Sequence, residues 1–263
     1  MEKVLRLPKN DKGRDLIVGD LHGCYDELWI LLKHINYDPK VDRLLFVGDL
    51  IDRGAESEKC LDLVMMEGNY SVLGNHEDMM FQGVLERNWN QLDLWYVNGG
   101  RWARKLVDDY RLAVEAKLEI LRPKFPIVIV VGEGADRFNI VHAEFYSYQR
   151  PLCDANIDNW DFTPEEENNM IWGRTVVNYF GRSDMLFQFN MSPTYCGHTP
   201  LRSVIAVQSQ IFIDTGCVYA VMTPGRNTDT GLTIVSHQDK KYWTLHPSDN
   251  NRISHYDLPP IED

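Results

Sequence analysis

The chain has no run of the roughly 20 apolar residues that a membrane-spanning helix requires, which excludes a helical membrane protein. Its opening residues, Met1-Glu2-Lys3-Val4, lack the charged-then-apolar layout of a secretory signal, so cytoplasmic residence is expected. On that reading the sequon Asn190-Met191-Ser192 carries no glycan. Cysteine is sparse: Cys24, Cys60, Cys153, Cys196 and Cys217 are scattered, and no Cys-x-x-Cys occurs. That pattern argues against a disulfide framework or a zinc ribbon and fits reduced thiols. Basic residues are scarce, 27 against 39 acidic ones, and a net charge of −12 argues against a nucleic-acid groove. An acidic chain can still take an anionic substrate where metal ions invert the local field. Neither an internal repeat nor a long linker interrupts the 263 residues, and one domain spanning 1–263 is expected.

What is present is a repeated strand-then-ligand pattern. Leu16-Ile17-Val18, Leu44-Leu45-Phe46-Val47 and Tyr70-Ser71-Val72-Leu73 are short apolar runs that read as strands. They end in Gly19-Asp20, Gly48-Asp49 and Gly74-Asn75-His76. Between the first two, Leu28, Leu31, Leu32 and Ile35 have amphipathic helical spacing, and Ser57 is a candidate cap for a second helix. Parallel strands present their C-terminal ends at one edge, where α/β folds place ligands.

The remainder is coarser. Residues 79–121 read as helical with a break at Asn98-Gly99-Gly100, and 127–131 and 138–141 as strands joined by a turn. The acidic stretch 143–170 reads as an inserted loop or cap. Four later strands are expected within 203–245, with an irregular tail after Pro247. The expected architecture is α/β, a two-layer β-sandwich flanked by helices.

Asp20, His22, Asp49, Asn75, His76, His142 and His198 follow apolar runs or sit in glycine-containing turns. Singly, an Asp after Gly is usually a turn or cap, and a lone His is usually structural. Their conjunction points to chemistry, because carboxylate, imidazole and amide oxygen suit divalent ions such as Mn, Fe(II) or Zn. A carboxylate such as Asp49 can bridge two ions roughly 3.5–4 Å apart. His34, His237, His246 and His255 lack such context and read as structural.

Gly19-Asp20-Leu21-His22-Gly23, Gly48-Asp49-Leu50-Ile51-Asp52-Arg53-Gly54 and Gly74-Asn75-His76-Glu77 resemble the three signatures of the calcineurin-like metallophosphoesterases. Within that group the chain is most similar to the phage-lambda and bacterial type of serine/threonine protein phosphatase. The likeness continues through Ile171-Trp172-Gly173-Arg174, Gly197-His198-Thr199-Pro200 and Asp214-Thr215-Gly216. It implies two divalent ions, Mn(II) foremost, with Fe, Zn, Ni or Co also admitted. By the resemblance Asp20, His22 and Asp49 hold one ion, and Asp49, Asn75, His142 and His198 the other. A metal-bridging hydroxide attacks, His76 is the general acid, Asp52 orients it, and Arg53 and Arg174 clamp the phosphoryl group. The structural alternatives are a helix cap for Asp52 and a salt bridge within the turn for Arg53. Trp172-x-Arg174 is a short pattern, so Arg174 has a purely structural alternative as well.

The resemblance implies a phosphorylated protein or a small phosphoester as partner, while the acidic charge and the lack of a long apolar run argue against nucleic acid and membrane. Two relatives compete over substrate. The protein phosphatases usually have Arg where this chain has Leu73, as the symmetrical diadenosine tetraphosphate hydrolases do not. Those hydrolases typically break the Asp-Arg-Gly pattern and carry Asp at the position of Glu77. Asp52-Arg53-Gly54 and Glu77 therefore favour the phosphatase. A non-catalytic metal-binding scaffold is the alternative of another class. The segment 222–230 reads as an insertion able to reshape one wall of the site.

Overall fold

The computed structural model describes residues 2–178, 188–226 and 228–261. Its first half runs β1 (Val4–Leu7), β2 (Asp15–Val18), α1 (Tyr25–His34), β3 (Arg43–Phe46), α2 (Ser57–Asp62) and β4 (Asn69–Ser71). Helices α3 (Asn75–Val84), α4 (Trp89–Val97) and α5 (Arg104–Leu121) follow. Then come β5 (Val128–Val131), β6 (Phe138–Val141), α6 (Asp154–Asn159), α7 (Pro164–Trp172) and α8 (Thr175–Asn178). The chain closes with β7 (Thr194–Cys196), β8 (Ile205–Val207), β9 (Gln210–Phe212), α9 (Cys217–Met222), β10 (Leu232–Ser236), β11 (Lys241–His246) and β12 (Arg252–Asp257).

These strands form two mixed six-stranded sheets, ordered β12-β11-β10-β2-β3-β4 and β1-β5-β6-β7-β9-β8. Between them lies a core that includes Ile17, Leu45, Val47, Val72, Ile140, Ile211 and Val235. Strand alternation sends Leu16 and Val18 the other way, to a second core beneath α1 to α5. Both faces of β2 are thus buried, which is why it reads as a continuous apolar run. A third core, with Phe145, Ile157 and Met170, covers the outer face of the other sheet. The α/β sandwich with flanking helices read from the sequence is the architecture observed.

Local sequence explains the elements. Helix α1 buries Leu28, Leu31 and Leu32, with Asp26 and Glu27 in its first turn and Lys33 and His34 in its last, matching the helix dipole. In the acidic stretch, α7 opens on a capping box between Thr163 and Glu166, with Pro164 in its first turn.

Three local expectations change. Ser57 opens α2 without capping it, because its hydroxyl accepts the Asp52 backbone N–H at 2.8 Å. The tail is not irregular: β12 pairs antiparallel with β11 across the turn Asp249–Arg252, where Asn250 and Asn251 have φ of 50° and 56°. Two positive φ values in succession are what a tight hairpin asks for, and Asn tolerates them. Within the segment 222–230, Asn227 lies outside the described residues. Among the described residues no helix is long and apolar enough to cross a membrane.

Candidate metal centre and active site

Six strand ends meet at one edge of the sandwich. Strands β2, β3 and β4 run parallel and lead into Asp20, Asp49 and Asn75; β6, β7 and β9 run parallel and lead into His142, His198 and Asp214. The turns carrying these side chains are strained. His22, Asp49, Asp52, Arg53 and His198 all have φ between 45° and 78°, a region non-glycine residues seldom occupy and which clusters at functional sites. Gly74 allows the close approach, since a Cβ there would collide with the backbone N and Oδ1 of Asp49.

One group of ligand-type atoms converges from both sheets. Asn75 Oδ1 lies 3.0 Å from His142 Nε2 and 2.9 Å from His198 Nδ1, and the two ring nitrogens are 3.2 Å apart. Asp49 Oδ1 is 3.5 Å from His142 Nε2. The His142 Nδ1–H donates to the Val47 carbonyl at 2.7 Å, which leaves a lone pair on Nε2. The Trp172 carbonyl takes a hydrogen bond from His198. Burial, then His142, lowers the His198 pKa to about 2, and burial also lowers that of His142. Neutral imidazole lone pairs, an amide oxygen and a carboxylate thus face one another with few protons to share. A cation resolves that conflict, and a ring N–H held by a backbone carbonyl is the usual support of a histidine ligand.

A second group shares Asp49. The potential ligand atoms of His22, Asp49 and His76 lie within 4.8 Å of one another, as do those of Asp49, His142 and His198. His22 Nδ1–H donates to the Ile51 carbonyl at 2.8 Å and its Nε2 is 3.5 Å from Asp49 Oδ2. Burial lowers the His22 pKa to about 3. Burial alone would raise the Asp49 carboxyl, but His142, His76, His22 and His198 around it hold it well below the usual range. Asp20 is outside both groups; its carboxylate accepts the His198 backbone N–H at 3.2 and 3.1 Å. The Arg53 guanidinium donates to His22 Nε2 at 2.6 Å and His76 Nε2 at 2.9 Å, so a positive charge already sits beside these nitrogens. His76 Nδ1–H donates to Asp52 Oδ2 at 2.6 Å, with both side chains buried. Arg174 is exposed, and its charge bears on His142, His198 and Asp214.

The family model of the calcineurin-like phosphoesterases matches residues 14–204. The chain belongs to that family. It is a metallophosphoesterase, a hydrolase with His and Asp side chains buried where metal ions would bind. It is similar to serine/threonine-protein phosphatase 1 of Salmonella typhimurium, 32% identical over 208 residues that cover 77% of this chain and 86% of that one. It is also similar to an asymmetrical bis(5'-nucleosyl)-tetraphosphatase of Geobacillus thermodenitrificans, 28% identical over 259 residues, 87% of this chain and 98% of that one. A solved structure assigned to a diadenosine tetraphosphatase superposes with a TM-score of 0.60 at 22% identity, covering 98% of this chain and 99% of that one. That likeness bears on the fold alone.

The contacts of several residues at this metallophosphoesterase site were not read from the sequence, where Glu77 and Asp214 stand only within motifs. Trp95 and Trp102 donate their indole N–H groups to Asp52. Glu77 accepts backbone N–H groups from the loop that carries Asp49. Asp214, 4% exposed, stands near Asp20 and Asp49, and burial raises its pKa to about 6. The sequence offered only the Gly99-Gly100 pair between the tryptophans, which marks a turn and not what the indoles reach; a Cβ at Gly99 would meet the Arg53 backbone N at 2.9 Å.

Proposed function

We propose that this metallophosphoesterase hydrolyses phosphomonoesters, with phosphoserine and phosphothreonine in proteins as its substrates. The observation that carries the reading is the buried His76–Asp52 pair, set at 2.6 Å beside the arginine of Asp52-Arg53-Gly54. Asp20, His22 and Asp49 would hold one divalent ion, and Asp49, Asn75, His142 and His198 a second. The oxygen and nitrogen donor set suits Mn(II), with Fe, Zn, Ni or Co as alternatives. When bound, two such ions supply a water of lowered pKa and positive charge against the phosphoryl oxygens.

The chain's own residues supply the rest. With its Nε2 freed from Arg53, His76 would carry a proton there toward the leaving oxygen, while Asp52 accepts Nδ1–H and stabilises the imidazolium. An alkoxide from serine or threonine is a poor leaving group, so this proton matters most for such substrates. Arg53, whose fork lies on His22 and His76 in this structure, would grip phosphoryl oxygens together with Arg174 if it turned toward a bound phosphate.

Relatives of both substrate classes are similar to this chain, and Leu73 is where the dinucleotide hydrolases agree with it. Leu73 is 3% exposed and packs in the core beneath α3, so its apolar character serves packing here. The test is a panel of a phosphopeptide, an aryl phosphate and diadenosine tetraphosphate on metal-loaded protein. A kcat/KM for the dinucleotide that exceeds the best phosphopeptide by about tenfold or more overturns the reading.

A further inference from the structure

Asp52 is fully buried, and its carboxylate is surrounded by donors from three places in the chain. His76 Nδ1–H reaches Oδ2 at 2.6 Å, Trp95 Nε1–H reaches the same oxygen at 2.8 Å, and Trp102 Nε1–H reaches Oδ1 at 2.7 Å. Its backbone N–H is taken by Ser57 Oγ, and its φ is 78°. The carboxylate torsion is intrinsically soft, with broad minima, so a buried Asp is aimed only by what it is bonded to. Donors on both oxygens fix the plane, and with it the face that Oδ2 turns to His76.

We infer that Trp95 and Trp102 are positioning residues of the phosphoryl-transfer site, holding Asp52 so that His76 delivers its proton along the line of the leaving oxygen. This rests on the reading of His76 as the general acid. The two indoles belong to different segments, α4 and the turn at 100–103, and meet edge to face at 6.2 Å and 86°. Gly99 and Gly100 let that turn close on the loop of Asp52 and Arg53: a Cβ at Gly99 would meet Arg53, and one at Gly100 the Trp95 ring. Phenylalanine would fill most of the same volume; what it lacks is the N–H, and both N–H groups point at one carboxylate. Trp95 is 1% exposed and Trp102 packs against the same core while partly exposed, so packing accounts for both rings but not for the aim of both N–H groups at one carboxylate.

The experiment compares Trp95→Phe, Trp102→Phe, the double variant and His76→Asn, all loaded with Mn(II). An O-phosphoserine peptide represents alkyl leaving groups, and p-nitrophenyl phosphate represents an aryl one that needs little protonation. Each Trp variant is expected to lose roughly tenfold in kcat on the phosphopeptide, with KM within about twofold and less than about threefold lost on the aryl phosphate. Metal content by elemental analysis stays at the wild-type level, and in the His76→Asn background the Trp substitutions leave the alkyl-to-aryl ratio unchanged. An equal loss on both substrates, or no loss on either, while His76→Asn does separate them, overturns the inference and leaves the acid role standing. If His76→Asn does not separate the two substrates, the acid role falls and this inference falls with it. Should Trp95→Phe fail to fold, Trp102→Phe at its partly exposed position decides alone.

Discussion

The Glu77 carboxylate accepts the backbone N–H of Asp49 at 2.9 Å through one oxygen, and that of Leu50 at 2.9 Å through the other. Ile51 adds a third N–H at 3.3 Å. Glu77 is 0% exposed and stands two residues beyond Asn75, so one helix start ties down the loop that carries Asp49, Asp52 and Arg53. Burial, with Asp49 and Asp52 nearby, pushes the Glu77 carboxyl up, and the N–H groups oppose that push. In Glu77→Gln an NH2 would face one of these backbone donors. The expected cost is about 2–3 kcal/mol of stability, read as a lower denaturant midpoint. An unchanged midpoint would show that the loop does not depend on this carboxylate.

Metal removal gives the second prediction. The lone pairs of His142 and His198, the Asn75 amide oxygen and the Asp49 carboxylate face one another at short range, which ligation would relieve. Chelator-stripped protein should therefore melt lower and be inactive, and Mn(II) should restore both melting temperature and turnover. The rise in stability follows the ratio of free ion to Kd, about 2.7 kcal/mol at 100 times Kd. Full turnover after elemental analysis shows no metal would remove the two-ion reading.

The residues gathered at the site were legible because most of them follow largely buried strands. Val18, Phe46 and Ser71 end such strands, and an apolar run stopping at a glycine and a polar residue is a local signal. Strand β12 gave no such signal: Arg252 to Asp257 is mostly exposed, and its register depends on the Asn250-Asn251 turn. Strand β1 is likewise partly exposed at the edge of its sheet. The tryptophans on Asp52 were illegible for a different reason. They sit 43 and 50 residues away in sequence, and only the packing of α4 and the turn after it brings their N–H groups to that carboxylate. Nor does any motif reveal that Arg53 lies across His22 and His76, since that depends on side-chain direction.

His237, outside the candidate metal centre, gives a pH prediction. Its ring stacks on Phe138 at 4.0 Å, Nδ1 lies 2.9 Å from the Tyr195 hydroxyl and Nε2 lies 3.2 Å from Lys240 Nζ. Burial, then the Lys240 charge, lowers its pKa to about 4, against a weaker opposing pull from Asp136. Above about pH 6.5 both folded and unfolded chains hold it neutral, and it adds no pH dependence. As pH falls from there toward about 4, the unfolded chain takes up a proton that the folded one refuses. Stability then drops by up to ~1.4 kcal/mol per pH unit. His237→Gln should flatten that part of the stability curve relative to wild type. Parallel curves for the two proteins between pH 6.5 and about 4 would show that His237 is not held neutral.

Arg174 offers the sharpest division between the two substrate classes. It is exposed between α7 and α8, two residues beyond the Trp172 carbonyl that supports His198, and its charge reaches His142, His198 and Asp214. A terminal phosphate presents a dianion, which a guanidinium fork can grip with two donors in both the ground and the transition state. Arg174→Ala should therefore raise KM and lower kcat together on phosphopeptides, with kcat/KM down by roughly 10–100-fold. A bridging phosphoanhydride offers less charge to the same fork, so diadenosine tetraphosphate cleavage should lose clearly less. Because Arg174 is exposed, the substitution should leave the melting temperature near that of the parent, which separates a binding loss from a folding loss. If dinucleotide cleavage suffers as much as phosphopeptide cleavage, Arg174 does not grip a terminal phosphate. The proposed preference for phosphoserine and phosphothreonine then loses one of its two proposed arginine clamps and has to rest on Arg53 alone.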